Sequence, residues 1–143
     1  MSEDLSKYAI ASQRTEKFHL DALLTYAPLS PLMDAIAHAR WFEGVVLATS
    51  FYEVEAVEKI KQYFRKNEKN IDPNRIENMS LSTLIVLLYS YGLITEKDYT
   101  RMHELNGFRR KVVHKFVDKI NPNEAEKNIK TGIDCLENLR NVR

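Results

Sequence analysis

Helix breakers are scarce in this chain: four glycines and four prolines punctuate 143 residues. An all-β fold needs many turns, and turns draw on Gly and Pro, so this scarcity points to helices. Apolar residues make up 44% and charged residues 29%, a globular balance rather than a disordered one. At this length one real core forms without staples. The single cysteine, Cys135, excludes an internal disulfide and any Cys-based zinc site, and reads as a small buried helix residue.

The breakers divide the chain. We read residues 1–14 as a flexible N-terminus and 15–143 as one helical domain. A short helix is expected from Thr15 to Tyr26, with Phe18, Ala22 and Tyr26 at a spacing of four. Ser30-Pro31 reads as a cap and a first helical position, opening one long helix to about Glu68. Val45, Val46, Leu47 and Phe51 make that helix apolar on more than one side, so neighbours should cover it. Glu53, Glu55, Glu58, Lys59 and Lys61 then return to a solvated face. Residues 65–74 read as a polar connection.

Ser80 is the expected cap of a second helix, Leu81 to Tyr91, with Gly92 ending it. Thr95 caps a third, with Asp98 in the capping-box position. That helix should run to Ile120 and pack against the long one. Asn121-Pro122-Asn123 starts a fourth, from Glu124 to about Arg140. The expected fold class is all-α, a four- to five-helix bundle around a long antiparallel helical hairpin.

The third helix breaks its own pattern. At 100° per residue, Met102, Leu105, Val113, Phe116 and Ile120 form one apolar stripe, with Tyr99, Val112 and Val117 at its margins. Arg109 falls in the middle of that stripe, where a permanent charge is costly unless paired or at a wet edge. Local conflicts of this kind mark functional or specificity sites. Beside the stripe, His103, Asn106, Gly107, Arg110 and His114 share a sector of about 100°. Gly107 costs about 1 kcal/mol mid-helix against Ala, which makes sense where a partner helix or ligand approaches the backbone. Lys111, Lys115 and Lys119 follow on the adjoining face.

Each of these has a plain structural reading. His114 alone could be a structural histidine. Arg109 could snorkel, or pair with Glu43 of the long helix. The lysines could be a solvated face. The conjunction of Arg, Arg, His and Gly beside one seam is what argues for a site.

Several chemistries are excluded. There is no Gly-rich phosphate loop, and the four histidines give no zinc triad. No metal and no cofactor are expected. Arg with His suits one metal-free reaction, cleavage of an RNA phosphodiester. Imidazole can move protons to or from the 2′-hydroxyl or the leaving oxygen. A guanidinium can hold the phosphate and its transition state through forked hydrogen bonds. A net charge of +1 argues against a wholesale polycation but not against a local basic patch.

The segment Leu81 to Phe116 resembles the HEPN superfamily of all-helical domains. A short apolar helix, a Gly-Leu-Ile turn, and a helix closing on Leu-Asn-Gly-Phe-Arg-Arg-Lys-Val-Val-His carry the likeness. It extends over roughly residues 30–140, although the specific motif spans six. That motif is Arg, four to six residues, then His, usually with Asn, Asp or His directly after the Arg. Arg109 matches the arginine and His114 the histidine. Arg110 stands at the polar position and departs from the usual types. Phe116 stands where the HepT-like branch carries a tyrosine, so modification there is not expected.

The resemblance implies a metal-independent endoribonuclease acting as a homodimer, with two Arg/His sets facing one cleft. In that role Arg109 and His114 are catalytic, and Arg110, Asn106, Lys111 and Lys115 contact phosphate or RNA. It also implies a toxin or defence effector, with an MNT-type nucleotidyltransferase antitoxin as a partner. The alternative is a non-catalytic module of the same fold that binds nucleotide, RNA or protein. A third reading is a structural bundle with Arg109 as an interface ion-pair residue. No run of 18 apolar residues exists and the N-terminal MSEDLSKYAI lacks the pattern of a signal peptide. The expected location is therefore cytoplasmic, with no membrane partner.

Overall fold

The computed structural model describes residues 29–114 and 120–142. They form an all-α helical bundle of six helices: α1 (Ser30–Ala37), α2 (Trp41–Lys66), α3 (Pro73–Glu77), α4 (Leu81–Ser90), α5 (Glu96–His114) and α6 (Pro122–Arg140). No strand occurs among the described residues. The helix expected over Thr15 to Tyr26 lies outside them, as do the N-terminal 14 residues.

The long helix expected from Pro31 to Glu68 is two helices. The break needs neither Gly nor Pro. Ala39 adopts a left-handed φ of +54°. That backbone costs an L-residue about 1 kcal/mol. Asp34 holds the corner. Its carboxylate accepts from Arg40 and lies 3.2 Å from His38 Nδ1. The Arg40 amide donates to Ala35 O at 2.8 Å, closing the turn. The bend brings α1 onto both α2 and α6, where Leu32 and Ala35 are fully buried. Ser30 is not the cap. The helix begins there, Leu29 is the cap residue, and no side chain caps it.

Elsewhere the caps form where the sequence puts them. Ser80 Oγ accepts from the Thr83 amide at 3.2 Å. Gly92 takes a φ of +73°, letting the Leu93 amide reach back to Leu88 O at 2.8 Å. Thr95 Oγ1 accepts from the Asp98 amide at 3.2 Å. Asn121 Oδ1 accepts from the Asn123 and Glu124 amides, so α6 starts at Pro122, two residues before the expected Glu124. Inside the stretch expected as a connection, Asp72 caps α3 through the Asn74 amide at 3.0 Å. This short helix delivers Ile76, fully buried, into the core.

The core lies where α2, α4, α5 and α6 meet. Tyr52, Phe51, Ile60, Leu84, Leu88, Leu105 and Ile129 are all sealed from solvent. The most extensive pairing is α2 with α6, and α2 also packs on α5. Two glycines permit it. A Cβ on Gly132 of α6 would stand 2.9 Å from Ala48 Cβ and 3.1 Å from Leu105 Cδ2. One on Gly44 of α2 would stand 2.5 Å from Ile129 Cδ1.

The face of α2 expected to be solvated is half-buried instead. Lys59 Nζ donates to Val142 O at 2.5 Å, and Lys61 lies 3.5 Å from Glu77 of α3. The end of α6 and the missed helix α3 cover it. No described helix is long and apolar enough to cross a membrane.

Candidate functional site

Helix α5 carries the residues singled out above, and its two halves behave differently. The first half is locked to α6. Asp98 is only 3% exposed. It accepts from Arg101 one turn on, and from Asn138 Nδ2 of α6 at 3.0 Å. Arg101 Nη1 also donates to Asp134 of α6 at 2.6 Å. A buried carboxylate satisfied by a guanidinium and an amide is costly to break, because removing one member strands the others. The Asp98 hydrogen bond raises the Arg101 pKa further above its already high value. Burial, with Asp98 nearby, pushes the Cys135 thiol up to about 12. Cys135 is thus the small buried helix residue expected.

The sequence assigned Asp98 only to a capping box. Its amide does bond Thr95, but its carboxylate serves the α5–α6 contact instead. The signal was present: Asp98 lies on the same arc of the wheel as Met102 and Leu105. Asp134 and Asn138, one turn apart on α6, were the complementary half.

The second half of α5 keeps one face in the core, through Leu105, Phe108 and Val112, and exposes the other. The contact stripe drifts along it. Asp98, Met102 and Leu105 are buried first, then Phe108 and Val112. Val113, expected in the stripe, is 41% exposed. Arg109 is half-buried, at the seam's edge. Glu43, its suggested partner, lies 3.5 Å from Arg40 Nε instead. Arg110, Lys111 and His114 are exposed, while Asn106 is buried. Arg109, Arg110, Lys111 and His114 form no ion pair with any described residue. The described helix ends at His114, Ile120 lies outside any helix, and Lys115, Phe116, Val117 and Lys119 fall outside the described residues.

Helical periodicity sets which of these groups meet. Arg110 and His114, four apart, lie about 40° from each other on one face. Arg109 and His114, five apart, diverge by about 140°. One copy of α5 therefore brings Arg110 to His114 but turns Arg109 away from it.

Aromatic rings continue the Arg110–His114 face toward the helix start. Tyr99 packs against Tyr89 of α4 with ring centroids 4.7 Å apart, and His103 meets Tyr99 edge-on at 4.5 Å. His103 Nε2 is buried with no hydrogen-bond partner among the described residues. Beyond it, at the half-buried Gly107, a Cβ would meet none of the described residues within 4 Å. The close approach expected at Gly107 is thus not made by any of the described residues.

Among the described residues, no group of three or more His, Cys, Asp and Glu is disposed to hold a metal ion. Family models, curated proteins and solved structures give no match to this chain.

Proposed function

We propose that the chain is a HEPN-like, metal-independent endoribonuclease that works as a homodimer. The observation that carries this is the state of the last two turns of α5. Two arginines, a lysine and a histidine gather there at the edge of the core, uncommitted to any described acidic group. Charged groups that stabilise a fold are paired, as Arg101 is. Unpaired ones grouped beside a histidine suit a polyanion.

In this mechanism His114 carries the proton. It takes the 2′-hydroxyl proton as that oxygen attacks phosphorus, or delivers one to the departing 5′-oxygen. Arg109 binds the phosphate and stabilises the pentacoordinate transition state through its forked donors. Arg110 is a second phosphate contact and Lys111 adds positive charge beside it, with Lys115 next in the sequence; Asn106, expected as a contact, is buried in α5 and does not face the ligand. The divergence of Arg109 and His114 on one helix supports a composite site, with the arginine of one copy working beside the histidine of the other. Two-fold pairing is the commonest way for a chain to assemble. The exposed Val113, next to the half-buried Arg109, offers an apolar flank for that contact. The toxin or defence role, and regulation by a nucleotidyltransferase antitoxin, belong to the same proposal through the HEPN resemblance.

The non-catalytic reading keeps one specific support, Arg110 at the position where the motif usually holds Asn, Asp or His. The test is labelled single-stranded RNA with wild type and His114→Ala side by side. General acid–base catalysis contributes about 10²–10⁴-fold, so the variant should lose that much rate with its thermal melt unchanged. Cleavage should survive EDTA, leave 2′,3′-cyclic phosphates and spare an all-deoxy strand. Equal residual cleavage in both proteins would expose a contaminating nuclease. RNA bound but never cut would establish the binding module instead.

A further inference from the structure

The aromatic rings beside the basic turn have no part in the chemistry above. Tyr89 is 42% exposed, and Val86, one turn earlier on α4, is 43% exposed. Tyr99 lies against Tyr89, and His103 against Tyr99. Tyr99, His103, Arg110 and His114 fall within about 60° of one another on α5, so rings and cations share one line along the helix. From Tyr99 to His114 that line runs about 22 Å. Gly107 interrupts it with open space where a side chain would stand. Its charge is graded. Glu96 stands at the helix start, the rings follow, and the positive groups stand at the far end.

We propose that the Tyr89–Tyr99–His103 ledge is a stacking platform for the unpaired bases of single-stranded RNA, with the strand's backbone led past Gly107 to Arg110 and His114. This rests on the ribonuclease reading and assigns the residues that would hold the bases of its strand. The chemistry is complementary at both ends. Bases present π-faces that stack on aromatic rings whatever their sequence. Phosphates need cations, which the ledge lacks and the Arg110 turn supplies. A duplex would keep its bases stacked internally and offer the rings nothing. At Gly107 the bare backbone leaves room for a sugar-phosphate to pass between rings and cations.

The probe is a fluorescein-labelled 2′-O-methyl adenosine dodecamer, which cannot be cut by 2′-hydroxyl attack, read by fluorescence anisotropy. Tyr89→Ala should weaken binding by about 5- to 150-fold, the worth of one stacked base. Tyr89→Phe should stay within about twofold, because the ring is kept, and Tyr89→Trp should bind at least as tightly. A salt titration should separate the two ends. Arg110→Ala should lower the slope of log K against log salt by about 0.7, the single-strand value per phosphate, and Tyr89→Ala should leave the slope alone. Tyr89→Ala and Tyr99→Ala binding like wild type would overturn the platform. So would sedimentation showing that these variants fall apart into monomers, since the ledge would then be a contact between copies. The two proposals fail separately. Wild type that cuts RNA while the tyrosine variants bind normally removes the platform and keeps the nuclease. Binding that depends on the tyrosines, with no RNA ever cut, does the reverse.

Discussion

Gly132 and Gly107 both sit inside helices, where glycine is a poor choice, and they sit there for opposite reasons. Gly132 of α6 is a point of closest approach: a Cβ there would press into Ala48 and Leu105. Gly107 of α5 faces open space. The contrast extends to the charges around them. Near the start of α5, Asp98, Arg101, Asp134 and Asn138 satisfy one another across the α5–α6 contact. At its end Arg109, Arg110, Lys111 and His114 answer to no described carboxylate. A helix can thus be half scaffold and half site. The half whose polar groups are satisfied internally holds the fold. The half whose polar groups are left uncommitted is available to a ligand.

Breaking the scaffold half should have the largest effect on stability. Asp98→Ala removes the acceptor shared by Arg101 and Asn138 and leaves a cavity, and should cost about 2–4 kcal/mol in chemical denaturation. Asp98→Asn, which keeps the shape and one acceptor, should cost less. Next comes Gly132→Ala. Its Cβ would meet Ala48 Cβ, which cannot swing aside, so α2 and α6 must part, at about 1–3 kcal/mol.

A pH series probes the same region. The folded-state pKa of Cys135 is raised to about 12, and burial raises that of Tyr52 too, so the fold favours both groups neutral. The stability they contribute is present below their unfolded values and is lost as pH climbs toward the folded ones. Urea midpoints should therefore fall from about pH 9 upward, and Cys135→Ala should flatten that fall. The smallest effect belongs to the open half. Gly107→Ala should raise stability by about 0.5–1 kcal/mol, as an exposed mid-helix glycine allows, while weakening RNA binding. A loss of stability there would mean that the face is occupied within the chain after all.

The same division separates what the sequence revealed from what it hid. Caps and stops are local, so Ser80, Gly92, Thr95 and Asn121 announced their helices correctly. The all-α bundle followed from the scarcity of breakers. The bend at Ala39 did not, because no residue there prefers a left-handed backbone. Asp34 and Arg40 hold it through side chains, and burial of Leu32 and Ala35 rewards it, which only the folded neighbours reveal. Asp72-Pro73 was a readable start for α3, hidden in a polar stretch where Ile71 and Ile76 were the apolar cues. On α5 a fixed wheel placed Val113 in the core, but the buried stripe runs to Phe108 and Val112 and leaves Val113 41% exposed. The exposure of Arg110 and His114 was legible from their sector. The tyrosine ledge was not, because one of its three rings, Tyr89, comes from α4.

The central claim is that Arg109 and His114 act together across two copies of the chain. Mixing Arg109→Ala with His114→Ala tests it most directly, after co-refolding to let subunits exchange. Each variant alone should be nearly inactive. In a composite site, each mixed dimer keeps one of its two cross-subunit Arg/His pairs intact. With random pairing, RNA cleavage should return to roughly a quarter of the wild-type rate. A mixture no more active than its parents, with subunit exchange verified by mass, would contradict the composite site.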